Sequence, residues 1–165
     1  METSLLNNLI KSFSIKDIEK HLVFSYVKRN SIDIGRDNFI SQYLDGFKPL
    51  PRLMHEINKI GIISIDEMSV AMELLIPAAD KKVNGAFFTP AYIADFIIAT
   101  IKPEINAKVI DPSCGSGAFL LAIARYYKNT FDKSISDCIR ENIYGCDILD
   151  YNIERCKLLL SLLAL

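Results

Sequence analysis

Apolar residues recur at helical spacing through the first part of the chain. In the stretch 14–29, a capping-type serine precedes one predicted helix face, which consists of Ile15, Ile18, Leu22 and Tyr26. A second helix is predicted over 35–44. A third is predicted over 63–76, because Ser64 and Glu67 have the spacing of a capping box. Residues 1–83 are therefore predicted to form a helical N-terminal region.

A different pattern begins after a polar linker. Apolar runs of helix length alternate with short runs of strand length, and they predict helices over 89–101, 117–129 and 151–165 and strands over 107–111 and 142–148. This alternation indicates an α/β fold, in which helices flank a parallel sheet. Residues 84–165 are predicted to form this second domain, and its sheet, with two strands, is incomplete.

Three inward faces are predicted for the helices of the second domain. They consist of Ile93, Phe96, Ile97 and Ile101 in the first helix; Leu120, Ile123, Ala124 and Tyr127 in the second; and Ile153, Cys156, Leu159, Leu160 and Leu163 in the third. Thr89 is placed to cap the first of these helices, with Pro90 at its first position.

The charge of the chain is nearly balanced, with a formal net charge of −1. Basic and acidic residues number 11 and 11 over residues 1–83, and 8 and 9 over residues 84–165. Without a basic block, the chain lacks the electrostatic footprint of a self-sufficient nucleic-acid binder. If it meets DNA, other parts of a larger protein must supply most of the phosphate contacts.

The cysteines and histidines do not predict a metal site. Cys114, Cys138, Cys146 and Cys156 lack close metal-ligand spacing, and the two histidines lie far from them in sequence. Scattered cysteines without a signal peptide indicate buried or free thiols in a reducing cytoplasm. No apolar run approaches the roughly 20 residues of a membrane span, so no membrane association is expected.

The stretch VIDPSCGSGAFL, residues 109–120, carries the strongest indication of a ligand site. It joins the end of a predicted parallel strand to a helix, which is where open α/β sheets bind ligands. Pro112 stiffens the exit from the strand. Gly115 and Gly117 permit a sharp turn and a close approach of backbone to ligand. Asp111, at the strand tip, suits a positively charged group.

Two common phosphate-binding loops do not fit this stretch. A triphosphate loop carries Lys and Ser or Thr after its last glycine, where this chain has Ala118 and Phe119. A dinucleotide loop places a third glycine at position 120, where this chain has leucine. An acid at the loop would repel a diphosphate and suits an ammonium group. The alternative is a tight strand-to-helix turn that binds nothing.

A second acid stands at the end of the second predicted strand, in the stretch GCDI. Asp147 is well placed there to hold two ribose hydroxyls. Ile148 follows it and has the character to pack on a purine face. Together with the glycine loop, these residues predict a nucleoside-containing ligand with a cationic group.

DPSCGSGAFL resembles the cofactor loop of S-adenosylmethionine-dependent amino-methyltransferases that act on DNA. The similarity is to the N6-adenine enzymes of restriction–modification systems, including modification subunits of the Type I kind. GAFFTP, residues 85–90, resembles the N-terminal cofactor motif of that family, and AMELLIPAADKKVNGAFFTP, residues 71–90, resembles the helix and linker that carry it. IYGCDI resembles the acidic second strand. The resemblance covers about residues 71–160 and implies a Rossmann-like methyltransferase domain.

The resemblance implies that S-adenosyl-L-methionine is the cofactor. It places Asp111 near the ammonium of the methionine moiety, with Gly115 and Gly117 allowing close backbone approach. It assigns the ribose hydroxyls to Asp147 and the adenine to Ile148. The residues implied to bind the cofactor are Thr89, Asp111, Pro112, Gly115, Gly117, Phe119, Asp147 and Ile148.

Two of these residues keep an alternative interpretation. The resemblance assigns the cofactor carboxylate to Thr89, which is equally suited to cap a helix. Phe119, like Phe87 and Phe88, is of a type that commonly belongs to the core.

One departure from the family is decisive for activity. Its catalytic motif, Asn or Asp followed by Pro-Pro and an aromatic residue, is absent from the sequence. That motif holds the flipped adenine. The chain is therefore interpreted as the N-terminal part of a longer adenine methyltransferase. It is expected to bind the cofactor weakly, to lack catalytic and metal-binding residues, and to be inactive alone.

The same interpretation implies partners. DNA would be bound through the full-length protein, and specificity or restriction subunits are implied by the family. Self-association is expected because the sheet is incomplete. The alternative function is a non-catalytic, methyltransferase-like module that acts in protein–protein docking.

Overall fold

The computed structural model describes residues 3–77 and 89–165. The chain divides into two compact units, residues 1–78 and residues 79–164. Among the described residues, no helix is long and apolar enough to cross a membrane.

The first unit is helical. Its elements are α1 (Thr3–Ile10), α2 (Ile15–Arg29), a 3₁₀ helix (Ile34–Arg36), α3 (Asn38–Tyr43), α4 (Pro51–Ile60) and α5 (Ile65–Leu74). The predicted helices over 14–29 and 63–76 are confirmed, and both begin as expected. Ser14 caps α2 by accepting a hydrogen bond from the Asp17 N–H. Ser64 and Glu67 form the predicted capping box at the start of α5.

The prediction of one helix over 35–44 is wrong in its boundaries. The Asp37 carboxylate accepts a hydrogen bond from the Ile40 N–H and starts α3 there, so a 3₁₀ turn precedes a short helix. Helices α1 and α4 were not predicted. α4 begins with Pro51 at its first position and ends at Gly61, which is in the left-handed region.

A buried histidine ties α2 to the start of α4. His21 is 1% exposed, and its Nε2 accepts a hydrogen bond from the Leu50 N–H at 2.8 Å. Its Nδ1 lies 2.6 Å from the Asp17 carbonyl oxygen and therefore carries the ring proton that this bond needs. Both ring nitrogens are thus satisfied inside the unit, which agrees with a structural histidine.

The second unit combines helices with a small parallel sheet. Its elements are α6 (Ala91–Ile101), β1 (Val109–Asp111), α7 (Ala118–Phe131), α8 (Ile135–Glu141), β2 (Ile143–Gly145) and α9 (Asp150–Ala164). The order of helices and strands confirms the predicted partial α/β arrangement. Both strands are shorter than predicted, and α8 fills a stretch that was expected to be a connecting segment.

The two strands pair in parallel with Ile110 opposite Tyr144 and Asp111 opposite Gly145. One face of the sheet lies against α7. On this face, a β-carbon added at Gly145 would point at the side chain of Leu120 in α7. The other face carries Ile110, which is 62% exposed, and Tyr144, which is 44% exposed. Within residues 3–77 and 89–165, the sheet is therefore covered by helices on one side.

Side chains also fix the connection that leads into β1. The Tyr127 hydroxyl contacts the carbonyl oxygens of Glu104 and Ala107 at 2.9 and 3.2 Å. The Asn142 amide donates to the carbonyl oxygens of Ile105 and Ala107 at 3.1 and 2.8 Å. These bonds add to the loop's own backbone hydrogen bond from the Ala107 N–H to the Glu104 carbonyl oxygen, and they hold β1 at the level of β2.

The core of this unit agrees with two of the three predicted helix faces. All four predicted residues of α7 are buried; in α9, Cys156, Leu159 and Leu160 are buried. The prediction for α6 is wrong, since its buried residues are Ala94 and Ile98. Phe96 is 71% exposed and Ile101 65% exposed. In a helix that is apolar almost throughout, periodicity does not select one face.

Candidate functional site

The glycine loop follows β1 and turns sharply into α7. Gly115 and Gly117 have φ values of +53° and +97°, which favour glycine over residues with a side chain. Gly117 takes the capping position of α7, and its N–H donates to the Cys114 carbonyl oxygen at 2.8 Å. The loop therefore leaves the carboxyl end of β1 as predicted and brings the first turn of α7 close behind it.

Close packing gives a second reason for two of the glycines. A β-carbon at Gly117 would lie 2.7 Å from Cys156 Sγ. A β-carbon at Gly145 would lie 2.7 Å from Leu120 Cδ1 and 3.1 Å from Cys114 Sγ. These distances are shorter than ordinary van der Waals contact, so α9 and α7 approach the loop and β2 as closely as bare backbone permits.

Asp147 is bound to the glycine loop. Its Oδ2 accepts a hydrogen bond from the Gly115 N–H at 2.9 Å. Its Oδ1 accepts from the Leu149 N–H at 2.9 Å and from the Asn152 side-chain amide at 3.0 Å. The second acid of the sequence pattern thus lies beside the first glycine, and one of its oxygens has two of these three donors.

Asp111 lies at the same edge of the sheet. Its Oδ1 accepts a hydrogen bond from the Ser113 N–H at 3.0 Å, and its carbonyl oxygen accepts from the Cys146 N–H at 2.9 Å. The Cys114 N–H donates in turn to the Cys146 carbonyl oxygen at 2.9 Å. These bonds extend the ladder beyond the strands and place the segments that carry Asp111 and Asp147 side by side.

An apolar cleft opens between α6, β1 and α7. It has a volume of 240 Å³ and includes three of the predicted site residues, Asp111, Pro112 and Phe119. Its other lining residues come from α6, β1 and α7 and are Ile97, Ile98, Ile101, Val109, Ile110 and Ile123. Phe119 is only partly buried, so it borders this cleft instead of filling the core.

The remaining predicted residues lie outside this cleft. Ile148 follows Asp147 and is 83% exposed. Thr89 stands two residues before α6, where the prediction that it caps the helix is wrong. Pro90 occupies the capping position, and its carbonyl oxygen accepts from the Ile93 and Ala94 N–H groups. Residues 85–88 of the GAFFTP motif, including Phe87 and Phe88, lie outside the described residues.

The electrostatic character of the loop is negative. Burial raises the pKa of the Cys114 thiol, and the carboxylates of Asp111 and Asp147 raise it further by their charge. The field that disfavours a thiolate at this position favours a cation. Burial also raises the pKa of the Cys156 thiol, so both sulfurs at the base of the loop are neutral near pH 7.

Two buried polar oxygens of the site have no hydrogen-bond partner among the described residues. They are Ser116 Oγ, between the two loop glycines, and Asn152 Oδ1, beside Asp147. The described part of the chain has no cluster of three or more His, Cys, Asp or Glu side chains with metal-binding geometry. The site is therefore built from carboxylates, glycine backbone and buried hydroxyl and amide groups.

Sequence reasoning missed Asn152, Gly145 and Cys156 as parts of the site. The glycine in IYGCDI is evident in the sequence. The reason that a side chain does not fit there is the close approach of Leu120, which belongs to a helix distant in sequence. Asn152 stands five residues after Asp147, in a helix whose neighbouring inward positions are apolar. A polar residue at an inward position of α9 was the signal available for it.

Comparisons with known proteins agree with this arrangement. The family model described as N-6 DNA Methylase matches residues 64–163. The chain is 24% identical over 111 residues to the Type I restriction enzyme EcoEI methylase subunit of Escherichia coli, an alignment that covers 64% of the chain and 23% of that subunit. No solved structure gives a significant match.

A second relative comes from an archaeon. The chain is 26% identical over 123 residues to the Type I restriction enzyme MjaVII methylase subunit of Methanocaldococcus jannaschii, which covers 59% of the chain and 21% of the subunit. The alignments thus span less than a quarter of the length of either relative.

Proposed function

The chain belongs to the N-6 DNA methylase family, and from this premise we propose that its second unit binds S-adenosyl-L-methionine for methyl transfer to adenine N6 in DNA. The observation that carries the proposal is the hydrogen bond between Asp147 Oδ2 and the Gly115 N–H. It joins the acid after β2 to the glycine loop after β1, at the edge where open α/β sheets bind ligands.

The charges at this edge fit the proposed cofactor. Asp111 and Asp147 produce a negative field at the loop, which raises the pKa of the neighbouring Cys114 thiol after the larger effect of burial. Such a field attracts a ligand that carries an ammonium group. Bound there, S-adenosylmethionine supplies an electrophilic methyl group.

The hydrogen-bonding capacity of Asp147 also fits. An ionised carboxylate offers about four acceptor positions. Three donors already use Asp147, two of them on Oδ1 and one on Oδ2. Oδ2 keeps an acceptor position for a ribose hydroxyl. We assign the ribose to Asp147 on this ground, and the adenine to the exposed side chain of Ile148.

The other roles follow from position. Asp111 is assigned to the ammonium group, and Gly115 and Gly117 to backbone contact. Pro112 and Phe119 would border the cofactor from the apolar cleft that they share with Asp111. Thr89, which does not cap α6, is assigned to the cofactor carboxylate because the resemblance of its motif to the family implies that role. No residue of this chain is assigned to catalysis or to a metal.

The methyl transfer itself is assigned to a larger enzyme. The sequence lacks the Asn or Asp, Pro-Pro and aromatic motif that would hold a flipped adenine. We propose residues 1–83 as a helical N-terminal domain and residues 84–165 as the start of a Rossmann-like domain. DNA and specificity or restriction subunits are the proposed partners of the whole protein, and the cytoplasm its compartment.

The backbone of β1 supports this completion of the fold. In a parallel ladder, alternate residues of a strand bond to the same neighbour, and Val109 and Asp111 both bond towards β2. The Val109 N–H donates to the Asn142 carbonyl oxygen, and the Asp111 carbonyl oxygen accepts from the Cys146 N–H. The backbone N–H and C=O of Ile110 therefore point to the opposite edge. A further strand beside β1 would pair with them and would extend the sheet at this edge.

Isothermal titration calorimetry with S-adenosylmethionine tests the proposal directly. Asp111→Asn removes the charge and keeps the acceptor for Ser113. We expect weak binding by the wild type and roughly tenfold weaker binding by the variant, which corresponds to the loss of about 1.4 kcal/mol. The matched control, Asp132→Asn, changes an exposed carboxylate in a left-handed position that asparagine tolerates. No binding by the wild type, or equal binding by Asp111→Asn, would refute the proposal.

A second candidate function is protein–protein docking without catalysis. The exposed aromatic and aliphatic side chains of the second unit favour it: Tyr92 is 73% exposed, Phe96 71% and Ile110 62%. Apolar side chains exposed together mark surfaces that bind another protein. Binding of the cofactor by the wild type that weakens in Asp111→Asn supports the first function over the second.

A further inference from the structure

Asn152 is a buried residue whose side-chain amide contacts Asp147 of the candidate site. It lies in the first turn of α9 and is 4% exposed. Its Nδ2 donates to Asp147 Oδ1 at 3.0 Å. The ionised carboxylate of Asp147 can only accept hydrogen bonds, so the amide must present its nitrogen and not its oxygen to Asp147.

The carbonyl oxygen of the same amide makes no hydrogen bond within the described residues. Asn152 Oδ1 is buried and has no hydrogen-bond partner among the described residues. Burying a carbonyl oxygen without a partner costs free energy. For packing alone, an apolar residue would serve better in a helix that also buries Cys156, Leu158 and Leu159. The bond to Asp147 is the interaction that favours an asparagine here.

The distribution of donors shows what this bond does. The Leu149 N–H and the Asn152 amide both engage Oδ1 of Asp147, which fixes the plane of the carboxylate. The second oxygen, Oδ2, is thereby directed at the Gly115 N–H. A carboxylate held from one side by one donor would rotate more freely than one held by two.

We propose that Asn152 is a positioning residue for cofactor binding, acting through Asp147 on the glycine loop. Asn152 and Leu149 hold Oδ1, so that Oδ2 remains turned towards Gly115 and towards the ligand. This inference rests on the proposed function for the role of the ligand. The link from Asn152 to Gly115 stands without a ligand and is tested separately.

The test uses Asn152→Leu in the whole chain. Leucine has a similar size, favours helix and removes both the donor and the unpartnered oxygen, so the melting temperature should stay the same or rise. Amide hydrogen exchange is measured by NMR without cofactor. We expect exchange of the Gly115 N–H to become about tenfold faster, because loss of the second donor lets Asp147 rotate away.

Two internal references make this result specific. The Leu121 N–H donates to the Gly117 carbonyl oxygen in the first turn of α7, and its exchange should not change. Asn129→Leu makes the same substitution at an exposed position of α7 and should leave Gly115 unaffected. Asn152→Ala is the second variant should leucine prevent folding, and it should accelerate exchange at Gly115 in the same way.

Calorimetry with S-adenosylmethionine then tests the functional consequence. We expect Asn152→Leu to bind roughly tenfold more weakly than the wild type although its melting temperature is not lower. Unchanged exchange at Gly115 in a folded variant would overturn the positioning role, whatever the cofactor does. If the wild type binds no cofactor but Asn152→Leu still speeds exchange at Gly115, the link from Asn152 to Gly115 is supported. Only the proposed function is then refuted.

Discussion

A β-carbon at Gly117 would lie 2.7 Å from Cys156 Sγ. The turn after β1 and helix α9 are therefore in contact through a glycine and a cysteine that stand 39 positions apart in the sequence. The glycine loop is shaped by this contact as well as by its φ angles, and a ligand is not its only reason to be free of side chains.

Gly117→Ala should destabilise the chain for two separable reasons. Alanine at φ +97° is strained, and its β-carbon would collide with Cys156. Gly46→Ala measures the conformational cost, since Gly46 has φ +62° and no atom within 4 Å of the added carbon. We expect about 1–2 kcal/mol at Gly46 and a larger loss at Gly117, by urea denaturation.

A double variant separates the collision from the strain. Cys156→Ala removes the sulfur, so Gly117→Ala should cost less in that background than in the wild type. Equal costs in both backgrounds would show that α9 moves aside and that the contact does not constrain the loop.

The helix caps show how much of the fold the sequence could predict. Ser14, Ser64 and Glu67 act within one helical turn, so their spacing sufficed to place the starts of α2 and α5. The inward face of α7 was predictable because polar residues mark its other side. In α6 nearly every residue is apolar, so the buried face, Ala94 and Ile98, is decided by packing against α7.

The candidate site divides in the same way. The placement of Asp111, the glycines and Asp147 at one edge was predictable because strand ends in a parallel sheet meet there; their binding roles stay predictions. The engagement of Asp147 by Gly115, 32 residues away, and by Asn152 was not predictable. It depends on the rotamer of one carboxylate and the register of α9, and neither leaves a periodic signal.

Thiol reactivity should separate one cysteine from the other three. Cys146 is exposed, whereas Cys114, Cys138 and Cys156 are buried. Burial also raises the pKa of the Cys138 thiol to about 11, so little thiolate is present at pH 8. In native protein we expect one rapidly labelled thiol by Ellman's reagent, and the rest after unfolding in urea. Cys146→Ser should abolish the fast phase; a second fast thiol in that variant would contradict the described burial.

The capping box of α5 should give a measurable dependence on pH. Hydrogen bonds from the Ile63 and Ser64 N–H groups hold the pKa of Glu67 below its ordinary value of 4.5. The stabilisation by ionised Glu67 is therefore fully present above that value and is lost as the pH falls through the lower, folded value. Between neutral pH and pH 3, Glu67→Gln should lose less stability than the wild type in urea denaturation.

Replacing the serine of the same capping box should destabilise the chain more than replacing an exposed serine elsewhere. Ser64→Ala should cost about 1 kcal/mol at pH 7, because the Glu67 N–H loses its acceptor. Ser41→Ala, at an exposed position inside α3, should change stability by less than about 0.5 kcal/mol. Equal effects of the two substitutions would show that the box contributes nothing to the helix.

We expect no methyl transfer to DNA by this chain alone. The base-holding motif is absent from its sequence, and charges of both signs are balanced along it. Incubation with tritiated S-adenosylmethionine and unmethylated genomic DNA should give background counts. Turnover that persists in protein purified from a host without adenine methylases, and that Asp111→Asn reduces, would show that the chain is a complete enzyme.

The exposed face of the sheet should make the chain self-associate. Ile110 and Tyr144 are paired across the two strands and are 62% and 44% exposed. The backbone groups of Ile110 at the edge of β1, which no strand of the described residues pairs with, add hydrogen-bonding capacity. Burying this face against a second copy removes apolar surface from water, and pairing of the β1 edge with another strand would satisfy its backbone groups; both are favoured at high concentration.

Sedimentation velocity over a range of concentrations measures this association, and a hydrophobic dye reports the exposed surface. Ile110→Lys should reduce both, because lysine on an edge strand opposes pairing with another chain. Ile63→Lys is the matched control, since Ile63 is 61% exposed in the helical unit and should leave association unchanged. A monomer at every concentration, with no dye bound by the wild type, would mean that one covered face is enough for this sheet.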